Sequence, residues 1–567
     1  MRSRRRPYPT AACRWRASTL HPVNGSDAAS RPPLRHWLGL GVLSLGVSMI
    51  IVDATVVNVA IPTIIRDLDI TATDAEWMNT IYSLVFAALL ISLGRAGDLW
   101  GRRRLFLVGV TVFVASSVWA GRSDTATALI VARFAQGIGG AMILPSTLSS
   151  VNAMFRGKSR AIAFGVWGAV IGGMAALGPL VGGWLTTDHS WRWIFYINLP
   201  VGLLAFAAAL RLVPDTRDDQ ARRGFDPVGV LSSSLGLAAL VFALIEGQRY
   251  GWFRPTSTFS AFGADWPLES VSIVFPAFLL GAALLGVFLA VERRRNAAGA
   301  PAIVDLALFE IRSFRYGNVA ALIVSLGELG LVFVLPLFMQ SALGFSAFRT
   351  GVVLVSLASG AFLAGGVAAA LASRRGSRFV VLIGMGTEVA GLLLIAAVVS
   401  TTASGWVLAG PLFVYGIGIG LATAQLTNAI LVDVPPRASG MASGLQSTSR
   451  QIGSALGIAI LGTVLIVGLG ARTEDRLAAL PDLPEEARVM ITGVIRESAG
   501  AALPGFRERP DSEEVVAEIE QAFAEATRVA ILVAAAWIGL GLVAAFRLPA
   551  DRRRETRPEG SGLPDHR

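Results

Sequence analysis

Four ionisable side chains stand deep inside long apolar runs: Asp53, Arg133, Glu328 and Glu388. A charge at the centre of a bilayer-spanning helix costs about 3 kcal/mol on insertion scales, so each of the four marks a functional candidate. Asp53 lies nine residues before Pro62, roughly 13 Å from that end of its run at the rise of an α-helix. Arg133 lies roughly 12 Å down its own run from the same side. The matching depths let carboxylate and guanidinium meet. A neighbouring cation and burial push a carboxyl pKa in opposite directions, so such a pair can bind a proton in one conformation and release it in another. The alternative is a static ion pair that ties two helices together. Glu328 sits near the middle of its run, at the depth of a central cavity, where it can neutralise a cationic ligand or carry a second proton. Glu388, about one-third of the way into its run by helical rise, carries the same two options or faces a neighbouring helix. Glu246, at the end of an apolar run beside Gly247, reads as interfacial, and Arg450 as a partner for carbonyls or an internal carboxylate.

A second constellation is a short basic turn, with Gly94, Asp98, Gly101, Arg102, Arg103 and Arg104 between apolar stretches 78–93 and 105–120. Two membrane helices joined by so short a basic turn place it on the cytoplasmic side. Asp98 is expected to reach the N-terminus of a later helix near Ser439–Ser443, where free N–H groups and the helix dipole attract a carboxylate. That contact would lock the cytoplasmic side and break on inward opening. The alternative is pairing with Arg102 or Arg103 inside the turn. A third pattern is small-residue: Gly168, Gly172, Gly178, Pro179, Gly182 and Gly183. Missing side chains let this helix press against one from the opposite half, and the proline permits a kink.

The elements that must carry these residues are membrane helices. The chain of 567 residues is 53% hydrophobic and 16% charged, with a mean hydropathy of +0.61. Apolar runs near 20 residues long, as a bilayer requires, recur along nearly the whole chain. Fourteen helices are predicted, near 37–62, 76–94, 105–120, 126–149, 161–184, 194–213, 227–246, 271–291, 316–340, 348–372, 379–400, 406–430, 439–468 and 528–547. The fold expected is an all-α integral membrane protein with two six-helix halves, 36–213 and 314–547. Helices 7 and 8 are inserted between the halves within 214–313. Residues 1–35 read as a basic, disordered cytoplasmic tail, followed by an apolar run too long for a cleaved signal. Residues 548–567 read as a second cytoplasmic tail. With both termini inside, most of the 49 Lys and Arg residues fall on the cytoplasmic side. Trp77, Trp119, Trp184, Trp191, Trp193, Trp252, Trp266 and Trp406 then fall near the outer interface, where indole rings prefer to sit. The polar segment 470–527 lies outside. Val515, Val516, Ile519 and Phe523 share one side of a helical stretch there, which suggests a partly helical cap, or else a gate or docking surface.

The halves repeat faintly. Gly137-Ile138-Gly139-Gly140 in helix 4 echoes Gly416-Ile417-Gly418-Ile419-Gly420 in helix 12, and the turn at Arg102 echoes Ser373-Arg374-Arg375-Gly376. Repeated halves with a midplane cavity between them suit alternating access.

The spacing G-x-x-x-D-x-x-G-R-R at Gly94–Arg103 resembles the loop signature of the major facilitator superfamily. Residues Ile51–Pro62, Arg133–Gly140 with Pro145, Gly168–Gly183, Trp191–Pro200, Gln340–Gly344 and Arg450–Gly453 resemble segments of its fourteen-span drug:proton antiporters of the EmrB/QacA type. Leu99 and Ala96 depart from the family's usual loop, which weakens a charge-relay role for it. The resemblance implies a major facilitator fold with fourteen transmembrane helices, residing in the cytoplasmic membrane. It implies a proton-coupled exporter of amphipathic drugs or toxic small molecules, with Asp53 titrating and Arg133 tuning it. It also implies that the helix-5 glycines favour exchange over symport. Rival readings are an exporter dedicated to one endogenous metabolite or antibiotic, and an importer or symporter of the same fold.

Other classes fit poorly. The net charge of +10 belongs to loops and tails rather than to a nucleic-acid surface, and all the basic residues but Lys158 are Arg. One cysteine, Cys13, and scattered histidines (His21, His36, His189, His566) offer neither a disulfide framework nor a metal cage. No nucleophile–base set suggests an enzyme, and no P-loop suggests ATP as the driver. The expected energy source is the proton gradient without a cofactor. The expected partners are a small-molecule substrate, protons and membrane lipid, with no obligatory protein partner.

Overall fold

A computed structural model of the chain describes residues 32–70, 72–217, 226–261, 264–268, 270–509 and 512–548. The two expected tails fall almost wholly outside this set, as do Cys13, His21 and His566. The long helices, in chain order, are α1 (Leu34–Leu68), α2 (Ala72–Trp100), α3 (Arg102–Gly121), α4 (Ala126–Met154), α5 (Gly157–Asp188), α6 (Asn198–Leu212), α7 (Pro227–Tyr250), α8 (Val274–Ala298), α9 (Arg312–Ser341), α10 (Ala347–Arg375), α11 (Ser377–Val398), α12 (Gly405–Leu431), α13 (Ser439–Ala478) and α14 (Glu513–Ala545). Among the described residues, thirteen helices are long and apolar enough to cross a bilayer, and α5 is a further helix of 32 residues. The only sheet among the described residues is a two-stranded ladder at 260–265.

Local chemistry sets the helix ends. Thr125, Asp226, Ser346 and Ser404 cap α4, α7, α10 and α12 by accepting a backbone N–H from the first turn. The turns after α2 and α10 are single glycines at positive φ, Gly101 at 108° and Gly376 at 90°. A side chain there would meet strain, which explains why the two basic turns of the repeat share a glycine.

Within the first half, Phe106 and Phe113 of α3 are buried against α1 and α4, and Gly139 of α4 lies against the Phe113 backbone. In the second half Gly453 and Gly457 of α13 lie against the α9 backbone at Leu322 and Leu326, and Gly416 and Gly420 of α12 against α10. Lipid is as apolar as leucine, so these close backbone approaches rest on dispersion rather than on the hydrophobic effect. The halves meet along two seams. Gly94 of α2 faces Gly440 and Gly444 of α13, and Gly165 of α5 faces Gly365 of α10. Helices α7 and α8 stand against the first seam. Leu237 and Phe288 of the inserted pair cluster with Ile91 of α2 and with Leu445 and Ile452 of α13.

Two expectations meet the structure at this point. First, segment 470–527 is helical over much of its length, as a partly helical cap requires: α13 runs on to Ala478 and α14 begins at Glu513, with short helices Glu485–Glu497 and Leu503–Arg507 between them. At 40 residues, α13 is about 60 Å long, twice the hydrocarbon thickness. The projecting ends are tied by Arg476 to Glu518 and Glu525, at 2.7 and 2.6 Å. Arg507 donates to Glu520 and to the Ser341 and Ala342 carbonyls that end α9. Val516, Ile519 and Phe523 are buried there. Second, Trp191 is not an interfacial indole. It is 1% exposed and donates to Asp67 at 2.7 Å, whereas Trp406 is 89% exposed.

Candidate functional site

Asp53 of α1 and Arg133 of α4 meet, at 2.5 Å, with neither side chain exposed. Gln136 follows Arg133 by three residues and so shares its face. Its amide oxygen accepts from Arg133 at 3.0 Å, and its NH2 donates to Asp53 at 3.0 Å and to Ser117 of α3 at 2.7 Å. Asn198, the first residue of α6, donates to Asp53 at 2.9 Å. Arg133 also donates to the Met78 carbonyl and stacks its guanidinium 4.2 Å from the Tyr82 ring centroid. Five elements thus converge on one carboxylate that accepts from three side chains. The opposite charges cancel, and every Asp53 oxygen is satisfied, as burial demands. Sequence reasoning assigned no chemistry to Gln136, Asn198, Ser117 or Tyr82. The first two lay inside quoted motifs, yet nothing in a single sequence shows that helices 4 and 6 turn those residues toward helix 1.

The second half carries its own charges. Glu328 accepts from Thr423 of α12 at 2.8 Å and from Arg450 of α13 at 3.1 Å, so Arg450 does satisfy an internal carboxylate. Glu388 of α11 is buried beside Gly418 of α12 and has no hydrogen-bond partner on either carboxyl oxygen. Glu246 of α7 is not interfacial. It is 5% exposed and accepts from Thr80 of α2 at 3.0 Å, which docks the inserted pair.

At the basic turn both anticipated contacts of Asp98 occur together. Its two oxygens accept from Gly440 N–H and Met441 N–H at 2.8 Å each, at the start of α13, and one also pairs with Arg102 at 2.8 Å. Arg102 reaches on to the Pro436 carbonyl at 2.6 Å. Arg103 points away, to the Leu210 and Val213 carbonyls at the end of α6. Alongside, Asn152 of α4 donates to Ser439 at 2.7 Å and Arg160 of α5 to Asn428 at 3.1 Å. The basic-turn end of the molecule is therefore closed, across both halves.

The helix-5 glycines divide by face. Gly168 meets Ala424 of α12 in the opposite half as expected, but Gly178 and Gly182 meet Thr55 and Val56 of α1 in their own half, and nothing lies within 4 Å of a Cβ at Gly183. Ten residues of helix turn the facing direction by about 80°, which explains the change of partner. The surroundings of Gly172 and Pro179 lie outside the described residues. At the far end Asp67 accepts from Trp191 and from Arg192, which also pairs with Asp124 at 3.0 Å. These donors, Trp191 foremost and then Arg192, hold the Asp67 carboxyl below its ordinary value.

Residues 43–458 match the family model described as Major Facilitator Superfamily. The probable actinorhodin transporter of Streptomyces coelicolor is 32% identical over 94% of this chain and 95% of its own. The multidrug resistance protein Stp of Mycobacterium tuberculosis is 33% identical over 90% and 91%. Among solved structures, the human organic anion transporter MFSD10 (TETRAN) superposes over 92% of this chain and all of its own, with a TM-score of 0.56 and 14% identity, a likeness of fold. A multi-pass helical chain with two halves, matched over most of its length by that family, belongs to the major facilitator superfamily.

Proposed function

We propose that this transporter is a proton-coupled antiporter that exports amphipathic drugs or other toxic small molecules across the cytoplasmic membrane by alternating access. The observation that carries the reading is the buried Asp53–Arg133 pair, whose carboxylate exchanges its proton as the surroundings alternate between open and closed. Relatives named for multidrug resistance and antibiotic transport support the export of drugs. The positive-inside rule supports a cytoplasmic basic turn and cytoplasmic termini. In that orientation the Asp98 contacts with α13 form the cytoplasmic lock, broken when the cavity opens inward. The proton gradient supplies the energy, without cofactor or obligatory protein partner.

Drug-driven proton release in everted vesicles tests this. Several chemically distinct cations, dyes and antibiotics should release protons from wild type and none from Asp53→Asn. A mutant that couples like wild type refutes the role of Asp53. A second reading, export of one dedicated metabolite, is favoured by the relative named for actinorhodin alone. It predicts that a single compound in the panel, or the producer's own product, elicits the response.

A further inference from the structure

Among the described residues, the second half of the transporter holds two buried carboxylates, Glu328 and Glu388, served by one cation, Arg450. Glu328 is paired with Arg450 and Thr423, whereas both oxygens of Glu388 lack a partner inside fully buried surroundings. One guanidinium nitrogen of Arg450, Nη1, is also without a partner. Glu388 packs against Gly418 of α12, about 7.5 Å along that helix from Thr423, which holds Glu328. Both carboxyls and Arg450 therefore interact through the same buried stretch of α12. The groups facing Glu388 from the packed helices are few. Helix α12 brings Tyr415, buried and with an unpartnered hydroxyl, and Gly418. Helix α14 brings Gly541 against Met385, and it carries no charge between Arg528 and Ala545. Arg528 is engaged at the Ala396 and Val399 carbonyls, at the far end of α11.

A buried carboxylate with no donor neutralises itself rather than bear the desolvation cost. With one proton on the trio the net charge is zero, matching the balance at Asp53 and Arg133. We propose that Glu388, Glu328 and Arg450 form a second protonation site of this transporter, holding one proton that resides on Glu388 in the state seen here. When Arg450 turns its free nitrogen to Glu388, that carboxyl gives up its proton and Glu328 takes one, so two carboxylates, one proton and one guanidinium persist and the site stays neutral. Glu328, paired with the partly exposed Arg450, is the outlet, and the fully buried Glu388 the reserve behind it. The inference deepens the antiport reading above but does not depend on identifying a substrate.

Infrared absorption of the full chain in lipid nanodiscs at neutral pH tests it, because a neutral carboxyl absorbs apart from carboxylates. The expected spectrum contains a neutral-carboxyl band that moves on labelling with 13C-glutamate and persists in Asp53→Asn. That band should vanish in Glu388→Gln. It should also vanish or shift in Glu328→Gln, where Arg450 is free to ionise Glu388, a change that an inert buried acid would not show. Absence of a glutamate-sensitive band in wild type overturns the proposal without any variant. A band unmoved by Glu328→Gln overturns the shared site and leaves Glu388 a static acid. Should drug-driven proton release fail while the band behaves as expected, the export reading falls and the protonation site stands.

Discussion

Gly94→Ala strikes the seam where it is tightest. A Cβ at that position would stand 2.5 Å from the Gly440 carbonyl oxygen and 3.0 Å from Gly444 Cα, whereas ordinary contact begins at 3.4 Å. Both obstacles are backbone, so no side chain can swing aside. Helices α2 and α13 must part by about 0.9 Å (3.4 − 2.5). The Asp98 contacts with Gly440 and Met441, at 2.8 Å, would then stretch to about 3.7 Å, outside hydrogen-bond range. Bonds to a charged group contribute about 1.5–3 kcal/mol each, so the closed state loses at least about 3 kcal/mol. That is roughly a hundredfold shift toward the state open at the basic turn. The same substitution strengthens the helix by about 0.5–1 kcal/mol, too little to offset the loss. Spin labels on Lys158→Cys and Arg374→Cys, both exposed at the closed end, with Cys13→Ser, report the separation by double electron–electron resonance. A longer-distance population should dominate in Gly94→Ala. Gly41→Ala, where nothing lies within 4 Å of the added Cβ, should leave the distances unchanged. A folded Gly94→Ala protein with the wild-type distribution would refute the seam argument.

Three further outcomes are expected. Arg133→Leu strands a buried carboxylate and should cost about 3–5 kcal/mol of stability, read as a lower Tm, with Asp53→Leu added in the same chain recovering part of the loss. Gly178→Ala should lower Tm through the α1 contact while leaving the label distances alone, whereas Gly165→Ala, 2.8 Å from the Gly365 carbonyl oxygen, should change the distances. Donors to Asp67 depress its carboxyl below the ordinary 3.8, so its contribution is present above about pH 4 and disappears as pH falls through the lower native value. The Tm gap between wild type and Asp67→Asn should therefore be constant at neutral pH and close in acid; a gap that widens on acidification would contradict the assignment.

What was legible in the sequence is what depends on depth along a helix. Hydropathy located fourteen helices, and counting residues put Asp53 and Arg133 at one level. What escaped is rotation about the helix axis. Gly168 and Gly178 belong to one motif yet face different helices. Glu328 and Glu388 offered the same two roles in the sequence, and only the packing of α11 on α12 shows that one has partners and the other has none. Trp191 satisfied the interfacial pattern by position, but the turn before α6 folds it inward onto Asp67. The same limit hid Gln136 and Asn198, polar residues on helices whose facing is set by their neighbours.

The inserted pair α7 and α8 breaks the symmetry of the two seams. One seam is covered on its bilayer side, with α7 touching α2 through Thr80 and Glu246 and α13 through the cluster around Leu237. Among the described contacts the α5–α10 seam has no such cover. A molecule dissolved in the membrane thus meets one shuttered flank and one bare one. In the alternating access proposed above, opening along the shuttered flank has to break or shear the contacts of α7 with α2 or α13.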